Sequence, residues 1–133
     1  MIMTKGIQEK LKLRLDLSAE KADMARVMLE AGRYNESVMF SYLSLFYSIR
    51  LLLIDREDDS DDPEKILSLA ESFFEPSGWN GVDILSIFRE SKRARDRIEN
   101  EPGHSADPEM ARNFYVKAVE ARSTILKKTG HTP

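Results

Sequence analysis

The stretch Ser37–Ile54, SVMFSYLSLFYSIRLLLI, decides the fold. It is the most apolar run of the chain, and the most acidic run, Asp55–Asp62, follows it at once. Its polar residues are ordered: Ser37, Ser41, Ser44 and Ser48 recur at steps of four, three and four. On a helix those steps make one narrow stripe. Small side chains there let a neighbouring helix come close, and their hydroxyls can bond back to helix carbonyls. The first or the fourth helix is the expected neighbour. A membrane span is the competing reading. The run is at the short end of the required length, carries Arg50 and four serines, and ends in DREDDSDD. It therefore reads as the central buried helix, about Asn35–Ile54, of a soluble cytoplasmic protein. It is apolar nearly all round, so cover is expected on several sides.

Upstream, residues 7–30 read as a first long helix. Ile7, Leu11, Leu15, Ala22, Ala25 and Leu29 repeat at helical steps, with Ser18 on the same stripe. Gly32 stops it, because glycine takes the left-handed cap conformation without steric penalty. The link Gly32–Asn35 is short, which makes the two helices antiparallel neighbours. Downstream, Arg56–Asp62 reads as a solvated loop, since charges so dense resist packing. No calcium-loop spacing or closing glutamate is present. Asp62-Pro63-Glu64 is a helix start, and a short third helix runs to about Phe74 with Ile66, Leu69, Ala70 and Phe73 inward. Glu75–Gly81 breaks it, and Trp79 in that loop is expected to fold back on the core. A fourth helix spans about Val82–Asn100 and ends at Pro102-Gly103. Asp107-Pro108-Glu109 starts a fifth, which runs to about Lys128 with Met110, Phe114, Ala118, Ala121 and Ile125 on one side.

There is no strand alternation, no internal repeat and no domain boundary. The reading is one all-α domain over residues 1–133, an up-and-down bundle of four to five helices, with its core in residues 7–128 and a flexible tail at 129–133. An apolar fraction of 41% with 32% charged suits a globular chain. The net charge of −3 gives no overall pull toward nucleic acid, so any such site must be a local basic patch. The absence of cysteine excludes disulfides, thiolate metal sites and cysteine nucleophiles. Two histidines supply a metal site poorly, and no metal or cofactor is expected.

The fourth helix breaks its own pattern. Ile84, Leu85, Phe88, Ser91 and Ile98 share one side, and Arg95 falls near the middle of that apolar arc. A charge there must be paired or face a wet cleft. Glu99, four residues on, offers a local pair, and this is the favoured explanation. The alternative is that the arc faces a partner subunit and a shared groove, where Arg95 meets a phosphate. Arg89, Arg93 and Arg97 lie together on the opposite side, with Lys92 between the two faces. A solvated, salt-bridged face is the default for such a patch; an RNA or phosphate footprint is the sharper reading. His104, in the following loop, is the side chain best suited to acid–base chemistry near neutral pH.

Taken in order, these features resemble the HEPN family of small helical domains. The match covers most of residues 8–128. It runs from the charged first helix, through the turn Gly32-Arg33-Tyr34, to the aromatic second helix with Tyr42, Phe46 and Tyr47. Arg95-Asp96-Arg97-Ile98-Glu99-Asn100 then stands where the family has its arginine motif. The resemblance implies that Arg95 is the family arginine and Asp96 its polar follower. Asn100 stands where ribonuclease members carry a catalytic histidine, and asparagine does not shuttle a proton near pH 7. A second register pairs Arg97 with His104. The resemblance implies a homodimer that binds RNA, a nucleotide or a minimal nucleotidyltransferase, with weak or no catalysis. The alternatives are a metal-independent endoribonuclease of a toxin–antitoxin pair, using Arg95 or Arg97 with His104, and a purely structural adaptor. The candidate catalytic residues are thus Arg95, Asp96, Asn100 and His104. The candidate phosphate-binding residues are Arg89, Lys92, Arg93 and Arg97.

Overall fold

The computed structural model describes residues 5–55, 60–74, 79 and 81–131. The expectations for Arg56–Asp59, Glu75–Gly78, Asn80, the last two residues and the Phe73 side chain lie outside the described residues. Five helices follow one another: α1 (Lys5–Glu30), α2 (Tyr34–Asp55), α3 (Pro63–Phe73), α4 (Ile84–Asn100) and α5 (Pro108–Lys128). Among the described residues there is no strand, only an isolated bridge between Trp79 and Val82. The all-helical bundle is therefore as the periodicity predicts.

Local chemistry sets the helix ends. Asp62, Asp83 and Asp107 each cap a helix, accepting from the backbone N–H of Glu64, Ser86 and Met110 at 3.1, 3.1 and 2.7 Å. Proline fills the first helical position of α3 and α5, where no donor is needed. Gly32, at φ 75°, turns the chain from α1 into α2.

The most extensive contact in the bundle is α1 on α2, and the serine stripe lies in it. All four serines are buried. Ser37 Oγ crosses to the Ala25 carbonyl oxygen at 2.9 Å, and the Ser48 and Ser18 hydroxyls meet at 3.0 Å. Ser44 and Ser48 also bond back to the Ser41 and Ser44 carbonyls at 2.9 and 2.7 Å. The stripe thus brings α1 close and satisfies the hydroxyls of Ser37, Ser44 and Ser48, while the buried Ser41 hydroxyl has no hydrogen-bond partner among the described residues. Ser44 is 1% exposed, so Ser44→Leu has no room to place its branch. The substitution is expected to destabilise the fold by roughly 1–3 kcal/mol through overpacking. Urea unfolding measures this, and an unchanged midpoint would mean that α1 and α2 separate there without penalty.

The main core joins α2, α3, α4 and α5 through Tyr42, Leu45, Ile49, Leu53, Ile66, Ala70, Ile84, Phe88, Ala121 and Ile125. Trp79 packs on it as expected, its ring centroid 4.9 Å from that of Phe74. By length and composition Tyr34–Ile54 would suffice to cross a membrane, and 72% of its most apolar window is buried inside the protein. The cover of α2 is incomplete, however. Phe40, Leu43 and Tyr47 stay half-buried along one side.

Candidate functional site

The site is built on α4, whose two faces differ. Ile84, Phe88 and Ser91 are buried against the core, whereas Arg89, Arg93 and Arg97 are exposed. The basic face does not stand alone. α3 packs beside it, and a groove of about 540 Å³ opens there, lined by Leu67 from α3, by Arg89, Lys92, Arg93, Asp96, Arg97 and Asn100 from α4, and by Glu101 just past its end. All four sequence-predicted phosphate residues line this one cavity, with two of the four predicted catalytic residues. Four cations face two carboxylates among its lining side chains, and Glu64 and Glu71 of α3 pair with two of those cations, Lys92 and Arg89.

The cations are not equivalent. Lys92, expected between the two faces, is only 8% exposed. Its ammonium is clamped by Glu64 of α3 and by Asp96, the latter at 2.9 Å. Burial pulls its pKa down, but those two hydrogen bonds outweigh the pull and leave it above the usual lysine value. Arg89 pairs with Glu71 across the groove at 3.3 Å, and Arg97 with Glu101 at 3.2 Å. Arg93 has no carboxylate partner among the described residues and stands exposed. It is the groove cation most open to an incoming phosphate.

Arg95 lies elsewhere. It lines neither this groove nor the neighbouring depression. Its guanidinium sits 5.3 Å from the centre of the Tyr42 ring and pairs with Glu99 at 3.4 Å and Asp96 at 3.5 Å. The charge on the apolar arc is thus accommodated locally, by a carboxylate one turn on and an aromatic face. Asn100 turns its side-chain amide back to the Asp96 carbonyl at 2.8 Å. Arg95 and Asn100 therefore do not converge on a shared cavity.

His104 occupies a second, smaller depression of about 230 Å³, together with Glu90, Arg93, Ala94, Arg97, Met110 and Phe114. Arg93 and Arg97 form the wall between the two cavities. The His104 loop is fixed: its backbone N–H bonds the Glu101 carbonyl at 3.1 Å, and Ala106 N–H bonds Asn35 Oδ1 at 2.6 Å. His104 Nε2 is buried and has no hydrogen-bond partner among the described residues. A nitrogen turned inward cannot take a proton from a substrate in the depression. The structure brings Arg97, not Arg95, to the histidine.

Glu64, Leu67 and Glu101 belong to the site and were not singled out by sequence. Glu64 reads there only as a first-turn acid of α3. Its pairing with Lys92 needs the packing of α3 on α4, which no local pattern encodes. Among the described residues no cluster of three His, Asp or Glu side chains forms a metal site.

No protein-family profile matches the chain, and no curated protein matches it in sequence.

Proposed function

We propose that this chain is a HEPN-like module that binds single-stranded RNA or a nucleotide through its phosphates in the α3–α4 groove, with weak or no catalysis. The observation that carries the reading is the convergence of Arg89, Lys92, Arg93 and Arg97 on one cavity of an otherwise acidic chain. The groove's lining includes no histidine, and its two carboxylates, Asp96 and Glu101, are paired with Lys92 and Arg97, which supports the non-catalytic part. Asparagine stands where acid–base chemistry would need a titrating group, and its amide is engaged with the backbone. The HEPN resemblance adds a homodimer, which sedimentation at micromolar concentration tests. Fluorescence anisotropy with a short oligoribonucleotide tests the groove. Binding is expected to weaken with salt, log K falling by about 0.7 per phosphate contact for each unit of log salt. No binding at about 50 mM salt would sink the proposal and leave a structural adaptor.

One observation favours a second reading. Arg97 and His104 line the same depression, as a metal-independent endoribonuclease would need. Incubation of RNA with the protein in EDTA separates the two. The expected result is no cleavage above background. Cleavage that disappears in both Arg97→Ala and His104→Ala would replace the first reading with the second.

A further inference from the structure

Away from the basic face, α1 and α5 pack side by side and leave a groove of about 530 Å³ between them. It is lined by Ala19, Glu20, Ala22, Asp23, Tyr115, Val119 and Arg122. Arg122 is the unusual member. It is half-buried, and its Nε donates to the buried Ser18 hydroxyl, which in turn meets Ser48. That bond anchors the guanidinium from behind. Among the described residues, none accepts a hydrogen bond from its two terminal amino groups and no carboxylate pairs with it. The groove's own acids are engaged elsewhere. Asp23 pairs with Arg26 at 2.8 Å and Glu20 lies beside Lys21 at 3.6 Å.

A half-buried guanidinium without a counter-charge carries a desolvation penalty that an anion would relieve. Burial already draws its pKa below the usual arginine value. Two free amino groups on one planar fork suit an anion that presents two oxygens side by side, a carboxylate or a phosphate monoester. The rest of the lining is mixed: the alanines on α1, Val119 at 38% exposed and the Tyr115 ring on α5 are apolar, while Glu20 and Asp23 stand on α1 with their charges held by Lys21 and Arg26. We propose that the α1–α5 groove is a second ligand site, which takes a small amphiphilic anion, its acid group on Arg122 and its apolar body between Val119 and Tyr115. This site stands on different helix faces from the α3–α4 groove and does not depend on what that groove binds.

Titration with phenylacetate and with phenyl phosphate, followed through the backbone N–H signals around Tyr115 in NMR, tests it and tells the two acid groups apart. Saturable shifts with at least one probe are expected. Two variants should each weaken that binding at least tenfold. Arg122→Gln removes the charge. Val119→Glu leaves the anchor intact but places a competing carboxylate three residues away on the same helix. The exposed Arg112→Gln on α5 should bind as wild type does, with the backbone spectrum reporting an intact fold in all three. Shifts that stay linear for both probes, or binding retained in either Arg122→Gln or Val119→Glu, would overturn the site.

Discussion

Arg93→Ala is expected to weaken RNA binding about tenfold at low salt, more than Arg89→Ala or Arg97→Ala. The triple substitution is expected to weaken it on the order of a hundredfold or more. The ranking follows from what each cation already touches. Arg89 and Arg97 hold Glu71 and Glu101, so a phosphate gains one ion pair there at the expense of another. Lys92 is held twice, by Glu64 and Asp96, and is largely buried; it shapes the potential of the groove rather than gripping a ligand first. Arg93 alone among these meets the phosphate with no pair to break. All three arginines are exposed, so the triple variant should keep its thermal midpoint and lose only binding. The salt slope separates this from a general charge effect. It should fall by about 0.7 with Arg93→Ala and by about 2 in the triple variant. Equal losses for all three single variants would mean that the field of the whole patch attracts RNA, with no groove engaged.

What the sequence carries legibly is local. The caps Asp62 and Asp107, the prolines that follow them and Gly32 each act within a few residues, so composition at one point suffices to place a helix end; Asp83, with no proline after it, is not legible in this way, and α4 begins at Ile84 rather than Val82. The serine stripe is also legible, because its spacing is a property of α2 alone. What is not legible depends on which helix lies beside which. Lys92 sits between the faces on a helical wheel, yet α3 brings Glu64 to it and buries it. Arg14 shows the same blindness: the α1 periodicity ranks side chains by type and passes over a buried arginine. Arg95 lies on the apolar arc of α4, and its pair with Glu99, one turn on, is local enough to foresee. Its contact with the Tyr42 ring is not, because that joins α4 to α2 across fifty-two intervening positions.

Tyr42→Ala is expected to remove roughly 3–5 kcal/mol of stability, a large share of the total of about 5–15 that such a domain holds. Tyr42 is 1% exposed and stacks on both Phe46 and Phe88, with ring centroids at 5.9 and 5.8 Å. It also carries the Arg95 guanidinium, so truncation would leave a void beneath a half-buried charge. Its hydroxyl behaves oppositely to its ring. The oxygen is buried with no hydrogen-bond partner among the described residues. Tyr42→Phe should therefore be neutral or stabilising near pH 7, because it removes a desolvated polar atom and keeps the stacking. Burial pushes the Tyr42 phenol up to about 12, from a usual value of 10.0, against the pull of Arg95 and Lys92. Below pH 10 both folded and unfolded chains keep the proton, and stability does not respond to it. As pH rises toward 12 the unfolded chain releases the proton while the folded chain holds it. Stability then falls with pH, by about 1.4 kcal/mol per unit. Other groups titrate in the same range, so the useful quantity is the difference between Tyr42→Phe and wild type. Urea unfolding at about pH 9 and pH 11 should show that difference growing by roughly 1.4 kcal/mol in favour of the variant. The same difference at both values would mean that the hydroxyl reaches water, and that the ring stack under Arg95 is looser than its geometry indicates.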